Sequence, residues 1–182
     1  MKSLPSDNFK KKILLHICCA MCSASAVKML QDEYHVSFYW YNPNIYNTQE
    51  YINRKTAAIK YAKELNVLFY EEKDFSYNYG KWAEKSSENC DLCYTLRLEK
   101  TIMFAKQNRF DCFSTSLLSS PYQKHDLIKQ ISNDFTHKYA VEFLYKDYRT
   151  CFYDCKNYLR QNGYYMQKFC GCNKSYKERY KV

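Results

Sequence analysis

Short apolar runs alternate with helical segments along this chain, and that alternation limits its fold more than any other feature. A polar, aromatic stretch containing Trp82 interrupts the pattern before Ser87. Alternating strands and helices predict an α/β fold with a mostly parallel sheet flanked by helices. The predicted strands are Ile13–Ile17, Val36–Tyr41, Val67–Tyr70, Asp111–Ser116 and Val141–Tyr145. The predicted helices are Ser23–Glu33, a helix capped by Thr48 with Ile52, Ile59, Ala62 and Leu65 on its apolar face, Cys93–Lys106, Tyr122–Asp134 and Phe152–Gln161.

The turns that follow the predicted strands carry the chemically distinctive residues. Ligands of parallel α/β sheets sit outside the carboxyl ends of the strands. We therefore expect sequence-distant groups at these turns to line one pocket. The turns in question are Cys18–Cys22, Asn42–Asn44, Ser116–Pro121 and Lys146–Arg149.

Length and cysteine usage indicate an intracellular protein. A chain of 182 residues predicts one domain, 1–182, with a short polar N-terminal extension, 1–11. The apolar run after that extension is too short for a signal peptide or a membrane span, so we expect a cytoplasmic protein that does not enter a membrane. In that compartment the ten cysteines stay reduced unless they bind metal or cycle catalytically.

The charge balance favours a polyanionic partner. A formal net charge of +9 and twenty tyrosines suit RNA, whose exposed bases can stack on aromatic rings. A compositionally biased genome would explain the tyrosines equally well.

Five cysteines in two groups indicate a metal centre. Cys18, Cys19 and Cys22 follow the first strand, and Cys90 and Cys93 open a helical segment. Two Cys-x-x-Cys pairs would suit zinc. Adjacent cysteines are expected to point in different directions, however, and an iron–sulfur cluster can accept thiolates from divergent directions. Cys18, Cys19, Cys90 and Cys93 would supply four thiolates, which leaves Cys22 as an extra ligand or a nearby thiol.

Cys170 and Cys172 have a spacing that favours redox chemistry. Residues two apart have Cα atoms about 6 to 7 Å apart, near the upper limit for a disulfide. Gly171 gives the backbone the freedom to close such a bridge, and strained disulfides are easily reduced. A pair of metal ligands and two inert thiols remain alternatives. An isolated cysteine such as Cys112 reads as a buried apolar side chain.

The motifs together resemble the QueH family of epoxyqueuosine reductases. The resemblance spans Leu14 to about Ser175, and it departs from the family at Thr150-Cys151, where relatives often have Pro-Gly. The motifs that carry it are Cys18-Cys19-x-x-Cys22, Tyr41-Asn42-Pro43-Asn44-Ile45, Glu50-Tyr51-x-x-Arg54, Cys90-x-x-Cys93-Tyr94 with Arg97-Leu98, Ser119-Ser120-Pro121-Tyr122-x-Lys124-His125, Asp147-Tyr148-Arg149 and Cys170-Gly171-Cys172.

The resemblance implies an oxidoreductase that completes queuosine formation in tRNA. It would remove the epoxide oxygen from epoxyqueuosine at the wobble position with a [4Fe-4S] cluster and without cobalamin. The implied fold is similar to nucleotide-binding α/β hydrolase-like domains of the HUP or PP-loop type. A cysteine loop replaces their phosphate-binding loop, which argues against ATP use. The implied cluster ligands are Cys18, Cys19, Cys90 and Cys93, and the implied redox-active disulfide joins Cys170 and Cys172.

Further roles are hypotheses attached to motif positions. An additional iron beside the cluster would use Cys22 or a carboxylate such as Asp91, and the electron donor is not identified by the sequence. Acid or ligand candidates are Asp91, Asp147, His16 and His125. Candidates to meet phosphates are Arg54, Arg97, Lys124 and Arg149, and candidates to stack on bases are Tyr41, Tyr94 and Tyr148.

Two other classes compete with the cluster enzyme. A zinc-binding RNA module without enzymatic activity would use the clustered cysteines as structural ligands. A thiol–disulfide oxidoreductase acting on proteins would use Cys170 and Cys172 and leave the clustered cysteines without a role.

Overall fold

A computed structural model describes residues 10–72 and 89–181 of the chain. The aromatic stretch that contains Trp82 lies outside these residues. Within them, five strands form one sheet in the order β3-β2-β1-β4-β5, and every neighbouring pair is parallel. The predicted α/β class with a parallel sheet is therefore confirmed. The strands are β1 (Lys11–Ile17), β2 (Tyr34–Trp40), β3 (Leu68–Glu71), β4 (Cys112–Thr115) and β5 (Glu142–Phe143).

Helices alternate with these strands along the described parts of the chain. Two 3-10 turns, Ser116–Ser119 and Tyr148–Cys151, follow β4 and β5. The α-helices of the described residues are α1 (Ala20–Leu30), α2 (Thr48–Glu64), α3 (Cys90–Gln107), α4 (His125–Tyr139), α5 (Phe152–Gln161) and α6 (Asn173–Tyr180).

Strand β1 is the centre of the molecule. It pairs with β2 on one side and with β4 on the other, and Ile13, Leu14, Leu15 and Ile17 are fully buried. A strand buried on both faces reads as a continuous apolar run, as Ile13-Leu14-Leu15 does. The chain leaves β1 at the point where strand order reverses, and that point is where open α/β sheets bind their ligands.

The start of β1 differs from the prediction. The strand begins at Lys11, inside the polar segment 1–11 that was expected to precede the fold. Lys11 and Lys12 are exposed, so their side chains carry no core signal even though their backbone pairs with β2.

Helix α2 also differs from its predicted pattern. Asn47, not Thr48, is the N-cap, and its side chain accepts hydrogen bonds from the backbone N–H groups of Gln49 and Glu50. Ile52 is exposed. The buried face instead includes Glu50 and Arg54, an ion pair one turn apart. Hydropathy assigns charged residues to the surface, so periodicity alone misplaces this face.

Three helices begin at residues that the sequence did not predict. Cys19 caps α1, so that helix begins at Ala20, three residues before the predicted start. Asn89 caps α3, which places Cys90 and Cys93 in its first turn. Helix α6 follows Cys172 and was not predicted, because its residues are almost entirely polar or aromatic without an apolar stripe.

Among the described residues, none of the helices combines the length and apolar character needed to cross a membrane.

Replacement of Asn47 by alanine tests the α2 cap. Loss of the one side-chain oxygen that accepts both hydrogen bonds should lower the free energy of unfolding by about 1 kcal/mol. Chemical denaturation would show the loss as a lower midpoint with an unchanged slope. Asn157→Ala, at an exposed position inside α5, is the matched control and should be neutral or slightly stabilising. An equal loss in both variants would contradict the capping role.

Candidate active site

The loop after β1 gathers three buried cysteines. The sulfur atoms of Cys18, Cys19 and Cys22 all lie within 4.8 Å of one another. Cys19 caps α1, because its sulfur atom accepts a hydrogen bond from the Cys22 N–H at 3.3 Å. The expectation that Cys18 and Cys19 diverge is wrong, because their sulfur atoms are 3.9 Å apart.

The three thiols, called here the cysteine triad, share their protons unevenly. Hydrogen bonds from Cys19 and Cys22 hold the pKa of Cys18 well below its ordinary value. Burial raises the pKa of Cys19, and hydrogen bonds to Cys18 and Cys19 raise that of Cys22. Cys18 is therefore the thiolate of the triad, and Cys19 and Cys22 keep their protons. A bound cation would allow all three sulfurs to ionise, since metal binding releases thiol protons.

Polar groups from distant parts of the chain surround the triad. Ser116, in the 3-10 turn after β4, accepts from the Cys18 N–H at 3.2 Å, and its Oγ lies 3.6 Å from the Cys18 sulfur. Ser119 donates to the Cys22 carbonyl at 2.7 Å. From the C-terminal segment, Gln167 places its amide nitrogen 2.6 Å from the Cys19 sulfur. Ser116 lies in a turn that the sequence singled out, whereas no sequence signal marks Gln167.

The second cysteine group lies at the start of α3. Cys93 is buried, and Cys90 is exposed one turn earlier. The Arg97 guanidinium donates to the Cys93 sulfur at 3.1 Å and to the Cys93 carbonyl at 3.1 Å. Burial lowers the pKa of Arg97, but the nearby Cys93, Cys170 and Cys18 more than offset it and keep the guanidinium charged. Arg97 therefore lies in a field produced by all three cysteine groups.

Cys170 and Cys172 form a third group, and both are thiols in this structure. Hydrogen bonds from Cys170 and Ser175 lower the pKa of Cys172 to about 5, and the bond to Cys172 raises the pKa of Cys170. Cys172 is therefore the thiolate of the pair. Gln123 donates to the Cys170 sulfur at 3.4 Å, and its carbonyl accepts from Tyr94 at 2.8 Å. This link ties Cys170 to α3.

Comparison with known proteins decides the family. A model of the family described as "Epoxyqueuosine reductase QueH" matches residues 13–178, which contain all three cysteine groups. The chain belongs to the QueH family. It is similar to the epoxyqueuosine reductase QueH of Dehalococcoides mccartyi, at 34% identity over 174 residues that cover 93% of this chain and 94% of that protein. It is similar to the QueH of Thermotoga maritima at 31% identity, covering 92% and 91%.

Among solved structures, the chain is similar to the U34-tRNA thiolase NcsA of Methanococcus maripaludis, a structure that contains a [4Fe-4S] cluster. The match has a TM-score of 0.49 and 13% identity, and covers 88% of this chain and 71% of that one.

The acid candidates mostly have partners. His16 is fully buried, with its ring nitrogens 3.0 Å from the Thr115 hydroxyl and 3.1 Å from the Tyr41 carbonyl, and burial lowers its pKa to about 4. It is a neutral core histidine. Asp147 pairs with Arg149, whose hydrogen bonds lower its pKa to about 2. Asp91 is exposed on the first turn of α3.

The candidates for RNA contact divide into buried and exposed groups. Arg54 and Arg97 are each 1% exposed, and the three guanidinium nitrogens of Arg54 bond to protein groups, so its proposed contact with phosphate is wrong. Tyr94 and Tyr148 are buried and cannot stack on bases as the structure stands. Lys124 and Arg149 are exposed, and Tyr41 is half-buried.

The donor set fits a thiolate-ligated metal group. Three buried thiols lie within 4.8 Å of one another, and Cys93 is a fourth buried thiol, on α3. The Gln167 amide donates to the Cys19 sulfur, and the Arg97 guanidinium donates to the Cys93 sulfur. Such bonds and nearby positive charge stabilise and tune iron–sulfur clusters. Within the described residues the buried side-chain amide oxygens of Asn42, Asn44 and Gln167 also lack a hydrogen-bond partner.

Thiol alkylation of metal-free protein tests the assigned protonation states. With a pKa of about 5, Cys172 is almost fully ionised at about pH 6.5, so its rate should rise less than about twofold by about pH 8.5. Burial raises the pKa of Cys112 to about 12, so Cys112 should react about 100-fold more slowly than Cys172. Iodoacetamide labelling followed by peptide mass spectrometry measures both rates.

The control is the same protein unfolded in guanidinium chloride, in which both thiols should react alike and more rapidly as the pH rises. Equal rates for Cys172 and Cys112 in the folded protein would contradict the assignment.

Proposed function

We propose that this QueH-family chain reduces epoxyqueuosine in tRNA to queuosine with a [4Fe-4S] cluster and the Cys170/Cys172 dithiol. The supporting observation is the cysteine triad, whose three buried sulfur atoms lie within 4.8 Å of one another. The nearby Cys93, Cys170 and Cys18 also raise the pKa of Arg97, whose guanidinium bonds to the Cys93 sulfur at 3.1 Å. A metal-binding triad with no redox partner would not need the dithiol, and a simple dithiol enzyme would not need four further buried thiols.

The proposed cluster ligands are Cys18, Cys19, Cys90 and Cys93. Cys22 completes the triad and is the nearest additional thiol, available to an extra iron together with a carboxylate such as Asp91. When bound, the cluster supplies one-electron transfer and Lewis acidity. The exposed Cys90 would have to turn inward from the first turn of α3 to join the buried Cys93.

The dithiol supplies two electrons. The Cys172 thiolate and the Cys170 thiol form a disulfide, and they release two electrons and one proton. At the substrate both carbon–oxygen bonds of the epoxide break, a carbon–carbon double bond forms, and the oxygen leaves as water. Water formation consumes two electrons and two protons, so one proton comes from Cys170 and one from solvent. Each later turnover needs an electron donor, not identified here, that reopens the disulfide.

Cys170 is the proposed proton donor. Its raised pKa keeps the proton on sulfur at neutral pH, beside the Cys172 thiolate. Asp147, with a pKa of about 2, is ionised and has no proton to give. His16 is neutral, and both of its ring nitrogens are engaged in the core.

A tyrosine at the edge of the dithiol is the proposed contact for the anticodon. Tyr122 is 87% exposed and precedes Gln123, whose amide touches the Cys170 sulfur. Lys124 is exposed two residues later. An exposed ring beside a cation suits an unstacked base and its phosphate. Tyr122 thus replaces the buried Tyr94 and Tyr148 in the proposed substrate contact.

Metal analysis and turnover of Cys172→Ser test the proposal. Protein purified without oxygen should be brown and contain about four irons and four sulfides per chain. The variant should retain that content and visible spectrum yet lose turnover of epoxyqueuosine tRNA, because its dithiol cannot form a disulfide.

Cys112→Ser is the matched control at a buried thiol of β4, and its turnover should survive in whatever fraction folds. Colourless wild-type protein with stoichiometric zinc would refute the cluster. Unchanged turnover of Cys172→Ser would refute the dithiol.

Replacement of Tyr122 by alanine tests the substrate contact. Loss of one base–aromatic stack costs about 1 to 3 kcal/mol, so the dissociation constant for substrate tRNA should rise about fivefold or more. Tyr153→Ala removes an equally polar ring, 65% exposed on α5, and should leave binding unchanged. Fluorescence anisotropy with the labelled anticodon arm measures both. Equal effects of the two variants would show that Tyr122 has no specific role.

A further inference from the structure

The loop that carries the dithiol is held by its backbone carbonyls. The carbonyl of Phe169 accepts from Arg54 Nη2 at 2.8 Å, and that of Cys170 accepts from Arg54 Nη1 at 2.9 Å. The carbonyl of Gly171 accepts from the Tyr46 N–H at 2.8 Å. Three successive peptide groups are thus fixed by the segment that opens α2, and the conformation between the two cysteines is set from outside the loop.

Arg54 reaches the loop from the buried face of α2. The Asn47 cap starts the helix, Glu50 lies in its first turn, and Arg54 follows one turn later. Arg54 Nε donates to Glu50 Oε1 at 2.6 Å, which leaves both terminal nitrogens directed at the loop. The Phe169 ring packs against the guanidinium with its centroid 5.3 Å from Cζ.

Glu50 balances the buried charge. A guanidinium that is 1% exposed must be paired and hydrogen-bonded, or its desolvation would be costly. Glu50 supplies the carboxylate, and its second oxygen accepts from the Tyr165 hydroxyl. Arg54 therefore uses one nitrogen for the charge partner and two for the loop carbonyls. A lysine offers a single point charge and cannot reproduce that fork.

Gly171 is required by the same arrangement. Its φ of +122° is a conformation that side chains rarely adopt. A Cβ at this position would lie 3.2 Å from Arg54 Nη1 and 3.3 Å from Ile45 Cγ1. The close approach of the Arg54 guanidinium and the positive φ of the backbone therefore both require glycine at position 171.

We propose that Arg54 is the positioning residue of the Cys170/Cys172 dithiol, because it holds the loop in the conformation from which the disulfide closes. The inference rests on the proposed role of this dithiol in epoxyqueuosine reduction. Arg54 contacts neither thiol, and it acts through the carbonyls of residues 169 and 170. Its loss should lower the effective concentration of one thiol at the other.

The disulfide equilibrium of the dithiol is the direct test. Closing the disulfide removes two electrons and one proton from the Cys172 thiolate and the Cys170 thiol. Oxidised dithiothreitol accepts the two electrons and takes up that proton and one from solvent to become the reduced dithiol reagent. Arg54→Lys should lower the equilibrium constant for closure about tenfold, as measured by alkylation and mass spectrometry across dithiothreitol redox buffers. Turnover should fall about tenfold in kcat with KM, iron content and tRNA affinity unchanged. Arg160→Lys, at an exposed position in the last turn of α5, is the matched control and should change none of these values.

A double-mutant cycle separates positioning from general damage. Gly171→Ala should lower the same equilibrium constant, and Arg54→Lys combined with Gly171→Ala should lower it no further than the more severe single variant, because both changes release the same loop. Additive effects, or an unchanged equilibrium constant in Arg54→Lys, would overturn the proposal.

Failure of the proposed function gives a different pattern. Wild-type protein that does not reduce epoxyqueuosine tRNA, yet shows the shift with Arg54→Lys, would refute the function and retain the positioning role. If Arg54→Lys does not fold, Glu50→Gln replaces it, since it removes the charge partner and preserves shape. A shift of at least about threefold in closure would then support the proposal, and no shift would overturn it.

Discussion

The central position of β1 determines where every functional group can lie. Because β1 pairs with both β2 and β4, the chain that leaves its carboxyl end is covered on both sides. Cys18, Cys19 and Cys22 are consequently buried although they belong to a loop and the first turn of a helix. The turn after β4 lies beside that loop, so Ser116 can bond to Cys18 across 98 residues of sequence. The site is a consequence of strand order more than of any local motif.

Burial of so many thiols creates an electrostatic problem that two buried arginines help to solve. Thiolates in a region of low dielectric need nearby positive charge or hydrogen-bond donors. Arg97 lies on α3, and its guanidinium donates to the carbonyl and to the sulfur of Cys93. Arg54 pairs with the Glu50 carboxylate, and its two terminal nitrogens donate to backbone carbonyls. Both arginines therefore stabilise negative charge at the cysteines, and Arg54 in addition fixes a loop.

Sequence alone predicted the fold class and the places where chemistry would concentrate, because strand periodicity and cysteine spacing are local signals. It failed where residues of types that usually lie at the surface are buried. Arg54 was expected to contact phosphate, and Tyr94 and Tyr148 were expected to stack on RNA bases, yet all three are buried. Gln167 could not be found at all, since its contact with Cys19 joins residues 148 positions apart and amides occur anywhere on a surface.

The hydrogen bonds from Arg54 to backbone carbonyls also explain why the C-terminal segment belongs to the site. The cysteine triad and Cys93 are mounted on the central strand and on a long helix, elements that packing already makes rigid. Cys170 and Cys172 lie outside the sheet, where a loop would otherwise be free to adopt many conformations. Attaching that loop to α2 through Arg54 and Tyr46 transfers the rigidity of the core to it. The attachment to α2 uses carbonyls, and the sulfur atoms make separate hydrogen bonds: the Gln123 amide donates to Cys170 at 3.4 Å, and the Ser175 N–H donates to Cys172 at 3.5 Å. A pair of thiols that must alternately close and reopen is therefore held by its backbone, which leaves the side chains free to change their bonding.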